Sequence, residues 1–287
     1  MNLGMLMQFK SVCLALSFGE VTPKPAEESC AAENYAIAFC GRERAHLSVF
    51  MAAPDLRIPI AGFVPIAHAL VDEINAERRK HAEEAEKRIT SAATIAGITV
   101  EFQTVQQSYT DTNRCLAKAA RPNDIVIVSR SMNGLPLDRD LIEAMLFTSG
   151  RPVLIIPPHW EQGAEFQNIM IGWDGGARAA RAVGDAMPLL TRAEGVEIVC
   201  VVPDASKSVA GADLAAYLAR HCKNVTITDL PTQHGDVSRT LHSHAIRMRA
   251  NLLVMGAYAH PKVLQIVLGG VTSGVLSEAE LPVLLSY

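Results

Sequence analysis

The chain has 287 residues, 49% of them hydrophobic and 20% charged, with a formal net charge of −4. That length suits two domains of ordinary size, and that composition supplies buried cores rather than a disordered chain. The slightly acidic balance gives no bulk electrostatic reason to expect nucleic-acid binding, and no apolar run approaches the roughly 18 residues that span a bilayer.

Val12-Cys-Leu-Ala-Leu16 is the first apolar segment. It resembles the core of a signal peptide, but no charged residue precedes Lys10 and no small-residue cleavage site follows. It reads instead as a first strand. Leu47–Met51, Ile98–Phe102, Ile125–Val128 and Val153–Ile156 follow, and a second set comprises Ile169–Gly172, Glu197–Val202, Val225–Thr228, Leu252–Met255 and Val283–Leu285. Runs without polar alternation indicate strands covered on both faces, as in parallel sheets. Helical patterns lie between them, among them 67–96, Arg178–Leu190, 211–221, Val237–Ala250 and Val271–Ala279. Alternating strand and helix indicates an α/β doubly wound fold, with helices on both faces by right-handed crossover.

The two sets are copies of one unit. Arg151-Pro-Val-Leu-Ile-Ile-Pro157 and Leu281-Pro-Val-Leu-Leu-Ser-Tyr287 each close about half of the chain. Asp124-Ile-Val-Ile-Val-Ser129 matches Asn251-Leu-Leu-Val-Met-Gly256, and the segments ending in Pro54-Asp55 and Pro203-Asp204 match likewise. The expected organisation is two tandem five-stranded domains, 1–157 and 167–287, joined by a polar linker over 158–166. The charged stretch Val71–Thr90 reads as a solvated helix face with pairs such as Glu83–Lys87 and Glu84–Arg88. Six cysteines without a CxxC pair fit reduced thiols and a cytoplasmic setting.

Ligands of open α/β sheets sit beyond the carboxyl ends of the strands. In the second half those ends carry Gly172-Trp173-Asp174-Gly175-Gly176 and Met255-Gly256-Ala257-Tyr258-Ala259-His260, and Gly269-Gly270 precedes Val271-Thr272-Ser273. Glycines let the backbone approach a phosphate, and a helix start attracts anions. Asp174 has the chemistry to accept from a ribose hydroxyl or to hold a metal beside phosphates. His260 falls in the candidate phosphate loop, where exposure or capping competes with a ligand role. His242 and His244 are two apart on a helix, pointing away from each other, so they do not clamp one metal. His221 lies at a helix end, where histidine commonly meets the last carbonyls.

These residues resemble the universal stress protein family, over nearly the whole chain and most strongly in its second half. Nucleotide-binding members carry Gly-x2-Gly-x9-Gly-Ser/Thr after the fourth strand; here that frame holds Gly256, Ala259, Gly269 and Gly270. The family's aspartate after the first strand falls on Asp174, and its adenine-contacting valine on Val201. The resemblance implies an adenine nucleotide, ATP with Mg, bound in the second half: Asp174 on ribose or metal, Val201 on the base, and amides of Gly256, Ala259, Gly269, Gly270 and Val271 on phosphate. Gly172, Trp173, Met255, His260 and Thr272 complete the expected lining. Two positions depart from the pattern. Ala259 replaces the second glycine, and Gly270 replaces the phosphate-facing hydroxyl, for which Thr272 or Ser273 are the available substitutes.

The first half has no aspartate after Leu16-Ser17-Phe18-Gly19 and no Gly-x2-Gly after Ser129-Arg130-Ser131-Met132-Asn133-Gly134. It reads as a degenerate domain kept for pairing. By resemblance the last strands of the halves are the pairing edges of an internal pseudo-dimer. The expected function is a stress-response binding or regulatory module. A nucleotide-free protein with a protein partner and a slow ATPase are the alternatives, and no residue stands out as a catalytic nucleophile or base.

Overall fold

The computed structural model describes residues 8–18, 30–53, 65–105, 109–130, 135–202, 211–257, 259–262 and 265–287. Gly19, Pro54, Asp55, Ser131, Met132, Asn133, Gly134, Pro203, Asp204 and Tyr258, which enter the repeat and site readings, lie outside the described residues.

The first half runs β1 (Ser11–Ser17), α1 (Ala31–Glu43), β2 (His46–Ala52), α2 (Pro65–Ala96), β3 (Val100–Val105), α3 (Tyr109–Ala119), β4 (Ile125–Ser129), α4 (Leu135–Thr148) and β5 (Val153–Ile156). The second runs β6 (Asn168–Gly172), α5 (Ala177–Leu190), β7 (Gly195–Val202), α6 (Ala212–Leu218), β8 (Val225–Pro231), α7 (Val237–Arg247) and β9 (Leu252–Gly256). It ends with β10 (Ala259–Lys262), β11 (Gln265–Leu268), α8 (Gly270–Glu278) and β12 (Val283–Ser286).

Ten strands form one sheet in the order β3-β2-β1-β4-β5-β12-β9-β6-β7-β8. Within each half every neighbouring pair is parallel. The halves meet at β5 and β12, which pair antiparallel with Val283 opposite Ile155 and Leu285 opposite Val153. The two repeated Pro-Val-Leu segments are thus the seam of a pseudo-dimer, and joining there removes one edge from each five-stranded unit. The antiparallel seam also sets the carboxyl edge of the second half beside the amino edge of the first.

Burial explains why the central strands read as unbroken apolar runs. Val12 to Leu16 in β1 are all buried, as are all four residues of β5 and of β12. The outermost strands β3 and β8 expose several residues and mix in Glu101, Gln103, Thr226 and Thr228. Among the described residues no helix is long and apolar enough to cross a membrane. None of the six cysteines forms a disulfide, and burial pushes the Cys40 thiol up to about 12 and Cys13 higher still.

Three sequence expectations change in detail. The third strand starts at Val100 rather than Ile98, because Gly97 closes α2 at φ +67. Its N–H bonds Thr94 and the Ile98 N–H bonds Ala93, a Schellman end that takes Ile98 out of the ladder. On α2, Arg88 does not pair with Glu84 but crosses to Glu33 of α1 at 2.9 Å, while Lys80 approaches Glu84 at 3.9 Å. Within the stretch read as a polar linker, Trp160 and Phe166 are buried, and Phe166 meets the rings of Tyr35 and Phe39 edge-on.

The start of α7 shows a local cap. Asp236 accepts from the Ser238 hydroxyl at 2.7 Å and from the Arg239 N–H at 3.1 Å. Those bonds, the Ser238 one foremost, hold its carboxyl below the usual carboxylate range. The cap therefore stabilises the fold above the unfolded value of about 3.9 and fades as pH falls through the lower folded value. Asp236→Asn keeps an acceptor oxygen without the charge. It is expected to shed less stability on acidification than the parent, as read in thermal melts from about pH 6 down to about pH 3. Parallel acid profiles for the two proteins would contradict that assignment.

Candidate functional site

The strand order of the second half reverses between β6 and β9, so the crevice expected for a ligand opens beyond Gly172 and Gly256. A side chain would make ordinary contact at Gly172 but has no room at Gly256. A Cβ on Gly172 would lie 3.4 Å from the Met255 Cβ. A Cβ on Gly256 would lie 2.5 Å from the Ala179 backbone nitrogen and 2.6 Å from the Arg178 carbonyl carbon. Gly256 thus lets the first turn of α5 close onto β9; its missing side chain faces that helix backbone, a packing need the sequence motif does not distinguish from phosphate approach.

Asp174 stands in the turn from β6 to α5. The Trp173 N–H bonds the Val199 carbonyl at 2.9 Å, extending the β6–β7 ladder by one residue. Asp174 Oδ1 accepts from the Gly176 N–H at 2.8 Å, and Gly175 between them adopts φ +75, a turn that glycine enters without steric cost. The carboxylate is therefore held at the mouth of the crevice by the start of α5. Val201 lies half-buried near the end of β7, opposite Leu230, and Met255 is buried in β9.

The segment read as a phosphate loop is not a loop. Ala259 pairs with Leu268 and His260 with Val267 in an antiparallel β10–β11 hairpin. A strand position gives Ala259 extended backbone, and it is absent from the positive-φ residues, so alanine carries no left-handed strain there.

The hairpin delivers the chain to α8, whose N-cap is Gly269. The Ser273 N–H bonds the Gly269 carbonyl at 2.9 Å, which leaves the amides of Gly270 and Val271 ahead of the intrahelical ladder. A Cβ on Gly270 would meet nothing within 4 Å. Thr272 is fully buried. The Ser273 Oγ is buried without a hydrogen-bond partner among the described residues.

The remaining candidates have other partners. His244 Nε2 meets Glu197 Oε1 at 2.7 Å, whereas His242 lies 4.0 Å from Glu280. His221 lies just past the end of α6, where its N–H bonds the Leu218 carbonyl at 2.9 Å and its ring packs on Tyr217 of the last turn. Among the described residues no three His, Cys, Asp or Glu side chains are grouped to hold a metal. Next to Val201, burial and Asp229 push the Cys200 thiol up to about 11, so it is protonated near neutrality and not a ready nucleophile. A cleft of about 510 Å³ lies at the opposite edge of the half, lined by Trp160, Gln167, Asn251 and Glu280 among others, and it gathers none of the expected site residues.

In the first half the same crevice is built differently. Phe18 is buried after β1 and its N–H bonds Ala52 at 2.8 Å, while β4 runs into Arg130.

Comparison with known proteins follows this division of the chain. Residues 165–286 match the model of the Universal stress protein family. A universal stress protein from Archaeoglobus fulgidus DSM 4304 has a similar structure, with a TM-score of 0.71 at 16% identity over 96% of this chain and 95% of that one. A functionally unknown protein from Pseudomonas aeruginosa PAO1 is similar at a TM-score of 0.56 and 15% identity, over 97% and 92% of the two chains. At these identities the likeness is one of fold, and it extends over both halves. No curated protein matches the sequence.

Proposed function

Residues 165–286 are a universal stress protein domain, and on that premise we propose that the second half binds an adenine nucleotide reversibly and acts as a binding module rather than as an enzyme. The observation that carries the reading is convergence at the switch point. Gly172 and Gly256 end the two strands that flank it, Asp174 is fixed at its mouth, and the start of α8 follows the strand β9 that forms its other wall.

ATP with Mg fits the donor set in part. Asp174, anchored by the Gly176 N–H, has the carboxylate chemistry to accept from a ribose hydroxyl or to hold a magnesium ion. Val201 offers a half-buried aliphatic surface to the base. The amides of Gly270 and Val271 suit a phosphate, and the unpartnered Ser273 hydroxyl stands in for the one missing at Gly270. Bound nucleotide would supply charge and buried surface that rigidify the edge; the chain's own residues orient it and keep α5 and α8 in place.

Binding without turnover stabilises the fold by mass action, by about 2.7 kcal/mol at a hundredfold excess over Kd. Thermal melts with Mg-ATP should therefore rise with ligand concentration. Asp174→Ala removes a charged acceptor worth about 1.5–3 kcal/mol and should weaken binding at least about tenfold by calorimetry. An unchanged affinity in that variant would remove Asp174 from the site.

One observation favours a second reading. The β10–β11 hairpin occupies the segment expected to wrap phosphate, setting Ala259 opposite Leu268 and His260 opposite Val267. A nucleotide-free interaction protein would show no melting shift with any adenine nucleotide.

A further inference from the structure

Arg130 follows β4 as Ala257 follows β9. The Arg130 N–H bonds the Ile156 carbonyl at 2.9 Å, and the Ala257 N–H bonds the Ser286 carbonyl at 2.8 Å. The positions are equivalent in the two halves, yet only the first carries a side chain that reaches across the seam. Arg130 Nη1 donates to the Ser277 carbonyl at 3.2 Å, and Nη2 donates to the Ala279 carbonyl at 2.8 Å. Those are carbonyls of the last turn of α8 and of its C-cap.

The last carbonyls of a helix have no intrahelical donors, and a cation placed there complements the helix dipole. The brace also carries a cost. The guanidinium is half-buried, its Nε is buried without a partner among the described residues, and desolvation works against its charge while Asp138 favours it. The matching helix of the first half is held differently: the Thr148 carbonyl, ending α4, accepts from Arg121 of its own half at 3.2 Å, and the second half reaches its last turn through an edge-on ring contact of Tyr287 with Phe147 rather than through a cation. Among the described residues, the arginine brace on helix carbonyls therefore runs from the first half to the second.

We propose that Arg130 is a positioning residue through which the first half holds α8, and with it the anion-facing amides at the start of α8, in place for the second half's ligand. The ligand part of this inference rests on the nucleotide reading above; the bracing part does not. A helix of nine residues is marginal on its own and stiff once docked, so a hold on its last turn fixes its first. On this view the first half is kept because it supports a site it no longer contains.

Hydrogen exchange of α8 in the full-length protein without ligand tests the brace. Arg130→Ala should speed exchange of α8 at least about tenfold. Arg42→Ala, which breaks the exposed pair between the first half and Glu165 of the 158–166 segment, should leave α8 unchanged. Arg130→Lys should fall between, since it keeps charge but not the two-pronged contact. Calorimetry with Mg-ATP, well below every melting point, should show about tenfold weaker binding for Arg130→Ala and none of that loss for Arg42→Ala. Unchanged exchange in Arg130→Ala overturns the brace. Faster exchange with wild-type affinity overturns its link to the ligand. A parent that binds no nucleotide sinks the nucleotide reading and the link with it, and the exchange result still decides the brace.

Discussion

Gly256→Ala is expected to cost about 3 kcal/mol of stability, at the upper end for adding one methyl group to a packed core. The added Cβ would meet backbone rather than a flexible side chain, at 2.5 Å from the Ala179 nitrogen. Relief therefore requires α5 to shift as a body away from β9, which opens the contact between them. The same shift moves Gly176 and the Asp174 carboxylate that its N–H holds, so nucleotide affinity should fall together with stability. Gly270→Ala is the control. It has open space and a helical position, and it should be neutral or slightly stabilising. Equilibrium denaturation of both variants checks the pair, and a Gly256→Ala protein as stable as the parent would show that α5 does not press on that strand end.

Arg192→Met should have an effect of similar size through a different cause. Arg192, just past α5, approaches Glu43 of α1 at 2.8 Å, with the Glu43 side chain wholly inaccessible and Arg192 28% exposed. The contact is close but poorly aligned for a hydrogen bond, so charge attraction carries it. Removing the cation leaves a carboxylate buried alone between the halves, which costs about 3 kcal/mol or more. Replacing both residues removes the stranded charge. Glu43→Gln with Arg192→Met should recover most of the loss, and a double variant no better than Arg192→Met would show that the pair is not coupled.

Much of the fold was legible because the strands are buried on both faces. β5 and β12, each fully buried, match their apolar runs closely, and the repeated Pro-Val-Leu endings turned out to be the seam. α1 was harder to read. Ala31, Ala32, Tyr35, Ala36, Phe39 and Cys40 are buried along it, and even Glu33 and Glu43 face inward, so it lacks a clean polar stripe. The partners of Glu43 and Arg88 were invisible for another reason: no local spacing announces a contact between distant helices.

The site was legible in outline and not in detail. The motif located the ends of β6 and β9 and the start of α8. It did not separate a glycine needed for helix packing, Gly256, from one that faces open space, Gly270. The hairpin was missed because the resemblance implied a phosphate loop there; the strand β10 includes Pro261. Proline is tolerated in this hairpin because it is a separate two-stranded pair, where no neighbour on the far side needs its N–H. The role of Arg130 had no signal at all in the sequence beyond its place after β4.

The central claim is that the second half holds an adenine nucleotide, and native followed by denaturing mass spectrometry of freshly purified protein tests it most directly. The account predicts a mass excess under native conditions that resolves on denaturation into ATP, ADP or another adenine nucleotide, and that is lost in Asp174→Ala. A bare chain mass in both spectra, with no rise in melting temperature on adding Mg-ATP at millimolar concentration, would contradict it.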